Sequence, residues 1–112
     1  MSRGSEILNE VVAPKLEKKP DILAGYGIEN KMFSLELDSD SWSFNFDQDG
    51  RVLMKQHYEE SADCRVIMSS KNFEKLCDGK LNIPLSLVTG KIKIKGDKVI
   101  AAKVAKAIQG LI

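Results

Sequence analysis

The feature that most constrains this chain is a change of hydrophobic period along its length. From Lys31 onward apolar residues alternate, with Phe33, Leu35 and Leu37 set against Ser34, Glu36 and Asp38, then Trp42, Phe44 and Phe46 against Ser43 and Asn45. Successive side chains of a strand point to opposite faces, so this spacing predicts two strands with one apolar face each. Before them the period is helical: Ile7, Leu8, Val11, Val12 and Leu16 share one side, with Ser5 available as N-cap. Pro14 falls inside that run, and an interior proline costs ~3 kcal/mol or more, so a kink or break is expected between Val12 and Lys15. Pro20 suits the first turn of a short helix through Ile22 and Leu23, ended by Gly25-Tyr26-Gly27.

Further along, Asp47-Gln48-Asp49-Gly50 reads as a hairpin turn into a third strand, Val52 to Tyr58, and Ala62 to Met68 as a fourth. Ser69 is the expected N-cap of a helix carrying Phe73, Leu76 and Cys77, with Gly79 at its end. Asn82 caps a second short helix with Pro84 in its first turn and Gly90 as its stop. A fifth strand, Lys91 to Lys95, turns Ile92 and Ile94 inward, and Asp97 caps a last helix that buries Ile100, Val104 and Ile108. Helices gathered on one face of a largely antiparallel sheet make the fold class α+β.

At 112 residues the chain suits a single domain over 1–112, and no repeat divides it. With 43% hydrophobic and 29% charged residues and 3 prolines, disordered, collagen-like and coiled-coil classes are excluded. No apolar run is long enough to cross a bilayer, and the polar start Met1-Ser2-Arg3-Gly4-Ser5-Glu6 does not read as a signal peptide, so a soluble, cytoplasmic protein is expected. Cys64 and Cys77 are read as reduced core thiols. A net charge of +1 argues against a nucleic-acid partner. The charge is unevenly spread, with 7 basic and 13 acidic residues over 1–63 but 10 and 3 over 64–112.

Catalytic and metal chemistry find little support. His57 is the only histidine, and no nucleophile is set beside it by the sequence. Two cysteines 13 positions apart and one histidine do not make a zinc site. The run Asn45-Phe46-Asp47-Gln48-Asp49-Gly50 has the oxygen spacing of a calcium loop, but Gln56 stands where the bidentate glutamate belongs and the flanks read as strands, so a plain turn explains it better. Gly90-Lys91-Ile92-Lys93-Ile94-Lys95-Gly96 fits no phosphate-binding loop, and alternating lysines are typical of an edge strand guarded against aggregation. No metal and no cofactor are expected.

The run Ala62-Asp63-Cys64-Arg65-Val66-Ile67-Met68-Ser69, followed by Phe73, Leu76, Gly79-Lys80-Leu81-Asn82 and Gly90-Lys91-Ile92-Lys93-Ile94-Lys95-Gly96-Asp97, resembles the sterol carrier protein type 2 domain. The step from Gly79 to Gly90 has that family's spacing, and Trp42 followed by alternating residues and Gly50 matches its tryptophan strand and hairpin. The similarity spans about 25–108. It implies a five-stranded sheet with helices over one face, an apolar tunnel between the layers, and non-enzymatic binding or intermembrane transfer of a lipid: a fatty acid, fatty acyl-CoA, sterol-like molecule or phospholipid. Two departures stand out. Ile83 intervenes before Pro84 where the family has proline directly after asparagine, and the end Gly110-Leu111-Ile112 lacks the peroxisomal Ser-Lys-Leu tail of many eukaryotic members.

On that resemblance the expected ligand-binding residues are Leu35, Leu37, Trp42, Phe44, Met54 and Met68 on the sheet. On the covering helices they are Phe73, Leu76, Leu85, Val88, Ile100, Val104 and Ile108. Lys91, Lys93, Lys98, Lys103 and Lys106 are the expected contacts for a headgroup, a CoA phosphate or a transiently touched membrane surface. The last helix, with its alanines at 101, 102, 105 and 107, is the expected gate. The alternatives are an interaction or regulatory module with a collapsed tunnel, and an acyl-CoA enzyme using His57 or Cys77.

Overall fold

The structure, a computed structural model, describes residues 3–111. Met1, Ser2 and Ile112, which entered the targeting reading, lie outside the described residues. The N-terminal segment is one continuous helix made of α1 (Arg3–Glu6), a π-helical stretch (Ile7–Val12) and α2 (Ala13–Lys18). The helix runs through Pro14 without a break, and the irregularity expected there takes the form of a π-helical stretch that ends at Val12. The Ala13 N–H reaches back to the Leu8 carbonyl, an i→i−5 bond, and the widened turn delivers Pro14 to the start of α2, where a missing N–H has no partner to lose. Ser5 is not the N-cap. It lies buried inside the helix, and its Oγ donates to Asp40 Oδ2 at 3.1 Å.

The helix expected after Pro20 is absent. Residues 20–25 form turns, with Ile22 N–H bonded to the Lys19 carbonyl at 3.0 Å and Ala24 N–H to that of Asp21 at 2.9 Å. Leu23 still anchors the segment in the core.

Five strands follow, β1 (Met32–Leu37), β2 (Asp40–Phe46), β3 (Val52–Lys55), β4 (Cys64–Met68) and β5 (Ile92–Gly96), with α3 (Ser70–Cys77) and α4 (Ile83–Thr89) between β4 and β5, and α5 (Lys98–Leu111) last. The strand order is β3-β2-β1-β4-β5. All pairings are antiparallel except the central one, β1 with β4, which is parallel. A parallel neighbour requires a crossover, and the chain from β3 to β4 makes it over the outer face: Tyr58 lies 4.7 Å from the Arg65 guanidinium, and Arg65 Nη2 donates to the Glu59 carbonyl at 3.1 Å. The third strand therefore stops at Lys55 instead of running to Tyr58, and the fourth begins at Cys64.

The caps follow the sequence reading. Ser69 Oγ accepts from Asn72 N–H at 3.1 Å, Asn82 Oδ1 from Leu85 N–H at 3.0 Å, and Asp97 Oδ1 from Val99 N–H at 2.9 Å. Gly90 closes α4 at a φ of 79°, a left-handed conformation that glycine adopts without penalty.

Candidate functional site

Directly paired residues of a sheet share a face, so the register sorts the side chains. Phe33 faces Phe44 and Cys64, Leu35 faces Trp42 and Val66, Leu37 faces Met68, and Met68 and Val66 face Ile92 and Ile94. One continuous apolar face results, and every helix packs over it. Two different coverings divide that face into a filled half and a hollow half.

The filled half lies over β1, β2 and β3. Leu8, Val12 and Leu16 of the N-terminal helix are buried there with Trp42, Phe44 and Phe46. Trp42 Nε1 donates to Asn9 Oδ1 at 3.0 Å, and the Phe33 and Phe44 rings meet edge to face with centroids 5.7 Å apart. Of the expected ligand contacts, Leu37, Trp42, Phe44 and Met54 belong to this half. Leu37 touches the helix at Gly4, and Met54 pairs beside Phe44. None of the four lines the cavity, because alternation assigns a residue to a face but not to the helix that will cover it.

The hollow half lies over β1, β4 and β5 and encloses a cavity of about 290 Å³. Its sheet wall is Phe33, Leu35, Val66, Met68, Ile92 and Ile94. Phe73 and Leu76 of α3 form one end, Ile83 and Leu87 of α4 another, and α5 lies along the length. Three adjacent stripes of α5 explain the space. Ile100, Val104, Ala107 and Leu111 are buried in core contacts, while Ala101, Ala105 and Ile108, one step round the helix, face the hollow. The two alanines stop at Cβ where larger side chains would fill the gap. The third stripe, Lys98, Ala102, Lys106 and Gln109, forms the rim.

The structure therefore brings Leu35, Met68, Phe73, Leu76 and Ile108 together around the cavity. It places Ile100 and Val104 behind it, and it turns Leu85 and Val88 out to solvent at 56% and 85% exposure. A seven-residue helix offers too few turns for its buried side to be read from spacing alone, so the expected contacts Leu85 and Val88 fall on the outer side of α4. Phe33, Val66, Ile83, Leu87, Ile92 and Ile94 were missing from the expected contacts, as was the alanine stripe as a wall.

The charged residues of the lining are Lys98 and Lys106, eight residues apart on α5 and hence ~12 Å along its axis. Gln109 is committed, its Nε2 donating to the Leu76 carbonyl at 3.1 Å. Of the other expected headgroup contacts, Lys103 donates to the Gly27 carbonyl at 3.3 Å, Lys93 pairs beside Ile67 on the outer face, and Lys91 lies exposed just after α4. The two helices over the hollow are held to different degrees. Helix α5 is fastened by Lys103, Gln109 and the bond from Lys15 Nζ to the Leu111 carbonyl, whereas α4 buries only Ser86.

Among the described residues no group of histidine, cysteine or acidic side chains is placed to hold a metal, and no helix is long and apolar enough to cross a membrane. Cys64 and Cys77 are free thiols. Burial, followed by the Asp97 carboxylate, pushes Cys64 up to about 11, and burial, followed by Asp78 and Glu74, pushes Cys77 to about 11 as well, so neither is a ready nucleophile.

Residues 8–109 match the SCP-2 sterol transfer family. A fatty acid-binding protein of Yarrowia lipolytica is 30% identical over 96 residues, which cover 85% of this chain and 68% of that protein. The solution structure of palmitated SCP2L2 from Aedes aegypti superposes with a TM-score of 0.68 at 22% identity, covering 96% of this chain and 95% of that one. Apo sterol carrier protein 2 of Yarrowia lipolytica gives a TM-score of 0.61 at 23% identity, covering 96% of this chain and 85% of the other.

Proposed function

Since this chain belongs to the SCP-2 sterol transfer family, we propose that it binds and carries a single-chain anionic lipid, a fatty acid in the first place, without catalysing a reaction on it. The observation that carries this reading is the cavity of about 290 Å³ walled by aliphatic and aromatic side chains, with two lysines and no carboxylate in its lining. A dry apolar cavity of ~150 Å³ holds a benzene molecule, so by proportion about twelve carbons of a chain fit here. The rest of a longer fatty acid projects past the rim. Lys98 or Lys106 then meets the carboxylate, according to which way round the chain enters.

Twelve buried methylenes gain ~10 kcal/mol before the cost of association, estimated at ~4–15 kcal/mol, is subtracted. Such a site competes with a bilayer without greatly exceeding it, as release to a membrane requires. The two free thiols suit a cytoplasmic setting.

Isothermal titration of the whole chain with dodecanoate, dodecanol and dodecyltrimethylammonium tests the reading. Saturable one-to-one binding of dodecanoate, weaker for dodecanol and weakest for the cation, is the expected order. Replacing both rim lysines by glutamine should weaken dodecanoate roughly three- to fivefold and leave dodecanol unchanged. Flat heats with dodecanoate, or equal affinity for anion and cation, would refute it.

A further inference from the structure

The helix that closes one end of the cavity carries an apolar outer surface of its own. On its inner side α4 sets Ile83 and Leu87 against the hollow. Outside, Leu85 and Val88 stand open to solvent, and Leu87, 41% exposed, spans the two sides. The helix is held largely by its own local bonds, Asn82 Oδ1 from Leu85 N–H at 3.0 Å and Ser86 Oγ to the Asn82 carbonyl at 2.7 Å. Along the chain after Asp78 the charge is predominantly basic. From Gly79 to the end of the sequence there are lysines at 80, 91, 93, 95, 98, 103 and 106 and one acid, Asp97, which is occupied in capping α5. Lys80 and Lys91 bracket α4 in the chain, and both are exposed.

We propose that the outer ridge of α4 docks on an anionic bilayer surface, Leu85 and Val88 entering the acyl boundary while Lys80 and Lys91 meet the lipid phosphates. Charge selects this occupant. A second copy of the chain would bring the same lysines against these, and a ridge of two side chains offers far less area than a stable dimer buries. Small apolar anchors with a polybasic border are the combination that holds a protein reversibly at a charged membrane. Because Leu87 belongs to both sides of a loosely held helix, movement of α4 into the interface withdraws Ile83 and Leu87 from the cavity and opens it towards the bilayer. That last step rests on the lipid-carrying reading; docking itself does not.

Docking is measured without fatty acid, using vesicles of phosphatidylcholine with and without phosphatidylglycerol. In Val88→Trp the new indole should shift its emission to the blue on the mixed vesicles, against the constant signal of buried Trp42. Leu85→Ser with Val88→Ser should lower affinity for those vesicles at least tenfold. Lys80→Gln with Lys91→Gln should lower it about 30-fold at low salt, at roughly 1 kcal/mol per lysine. All these side chains lie outside the cavity lining, so dodecanoate binding in solution should persist in each variant, and its loss in the unaltered protein would count against the carrier reading alone. Undiminished vesicle affinity in either double variant, no blue shift, equal binding to pure phosphatidylcholine, or a dimer that buries the ridge would overturn the docking proposal.

Discussion

Ala105→Leu puts the hollow itself to the test, because it should stabilise the empty protein and weaken its ligand at the same time. Ala105 is half-buried and faces the cavity from the middle of α5. Leucine adds three carbons, ~75 Å³ at about 25 Å³ per carbon, which is near a quarter of the 290 Å³ available. If that space is open, the added carbons gain up to ~2.4 kcal/mol in the empty state at ~0.8 kcal/mol each. At about 4 °C per kcal/mol for a chain of this size, half of that gain raises Tm by ~5 °C. Dodecanoate loses the same volume and up to ~50-fold in affinity, and the preferred chain shortens by about three carbons. The same substitution two positions on, Ala107→Leu, enters a buried site outside the lining and should instead destabilise by ~1–3 kcal/mol through overpacking. Thermal melts of both variants, with titrations from octanoate to tetradecanoate, decide the matter. A fall in Tm for Ala105→Leu with dodecanoate affinity intact would refute the reasoning, since the leucine would then have met filled packing.

Other consequences are equally specific. Asn9→Ala strands the buried Trp42 Nε1–H and should cost ~1–3 kcal/mol in urea unfolding, with little effect on dodecanoate binding because the pair lies in the filled half. Gly96→Ala should cost ~2 kcal/mol or more: Gly96 has a φ of 89°, and an added Cβ would run into the Asp63 carbonyl oxygen, whereas Gly79→Ala meets no atom within 4 Å and is strained only by its φ of 70°. For the thiols, a folded value of about 11 against an ordinary 9.0 means that the folded state retains protons the unfolded chain has released. Their contribution to stability is complete below pH 9 and is lost as pH rises towards 11, so Cys64→Ala should flatten part of the alkaline fall in unfolding free energy. At pH 8 both should react with a disulfide reagent at least tenfold more slowly in the native protein than in urea.

Much of this architecture was legible because it is written in local chemistry. The alternation over Phe33 to Phe46, the caps Ser69, Asn82 and Asp97, and the stop at Gly90 each depend on a few adjacent residues, and the structure has them where the spacing put them. The way the helix continues through Pro14 is not legible, because a π turn satisfies the backbone in a way the side-chain pattern does not announce. The third strand was overextended because its end is set by a crossover over Arg65, a distant partner. For the site, alternation grouped Leu35 with Met68 on one face, but whether that face is filled or hollow depends on which helix lies above it. Trp42 and Phe44 met Leu8 and Val12; Val66 and Ile94 met alanines. The signal available in the sequence was the run of small residues at 101, 102 and 105, which leaves room beside the sheet because each side chain stops at Cβ.

The division of one sheet into a solid half and a vacant half bears on how firmly the empty molecule holds together. By the cost found for engineered voids, ~24 cal/mol per Å³, a gap of 290 Å³ forgoes up to ~7 kcal/mol, as much as many small proteins possess in total. A ligand that occupies the gap restores the missing contacts, so dodecanoate should slow tryptic digestion of the protein, which timed proteolysis with and without it would check.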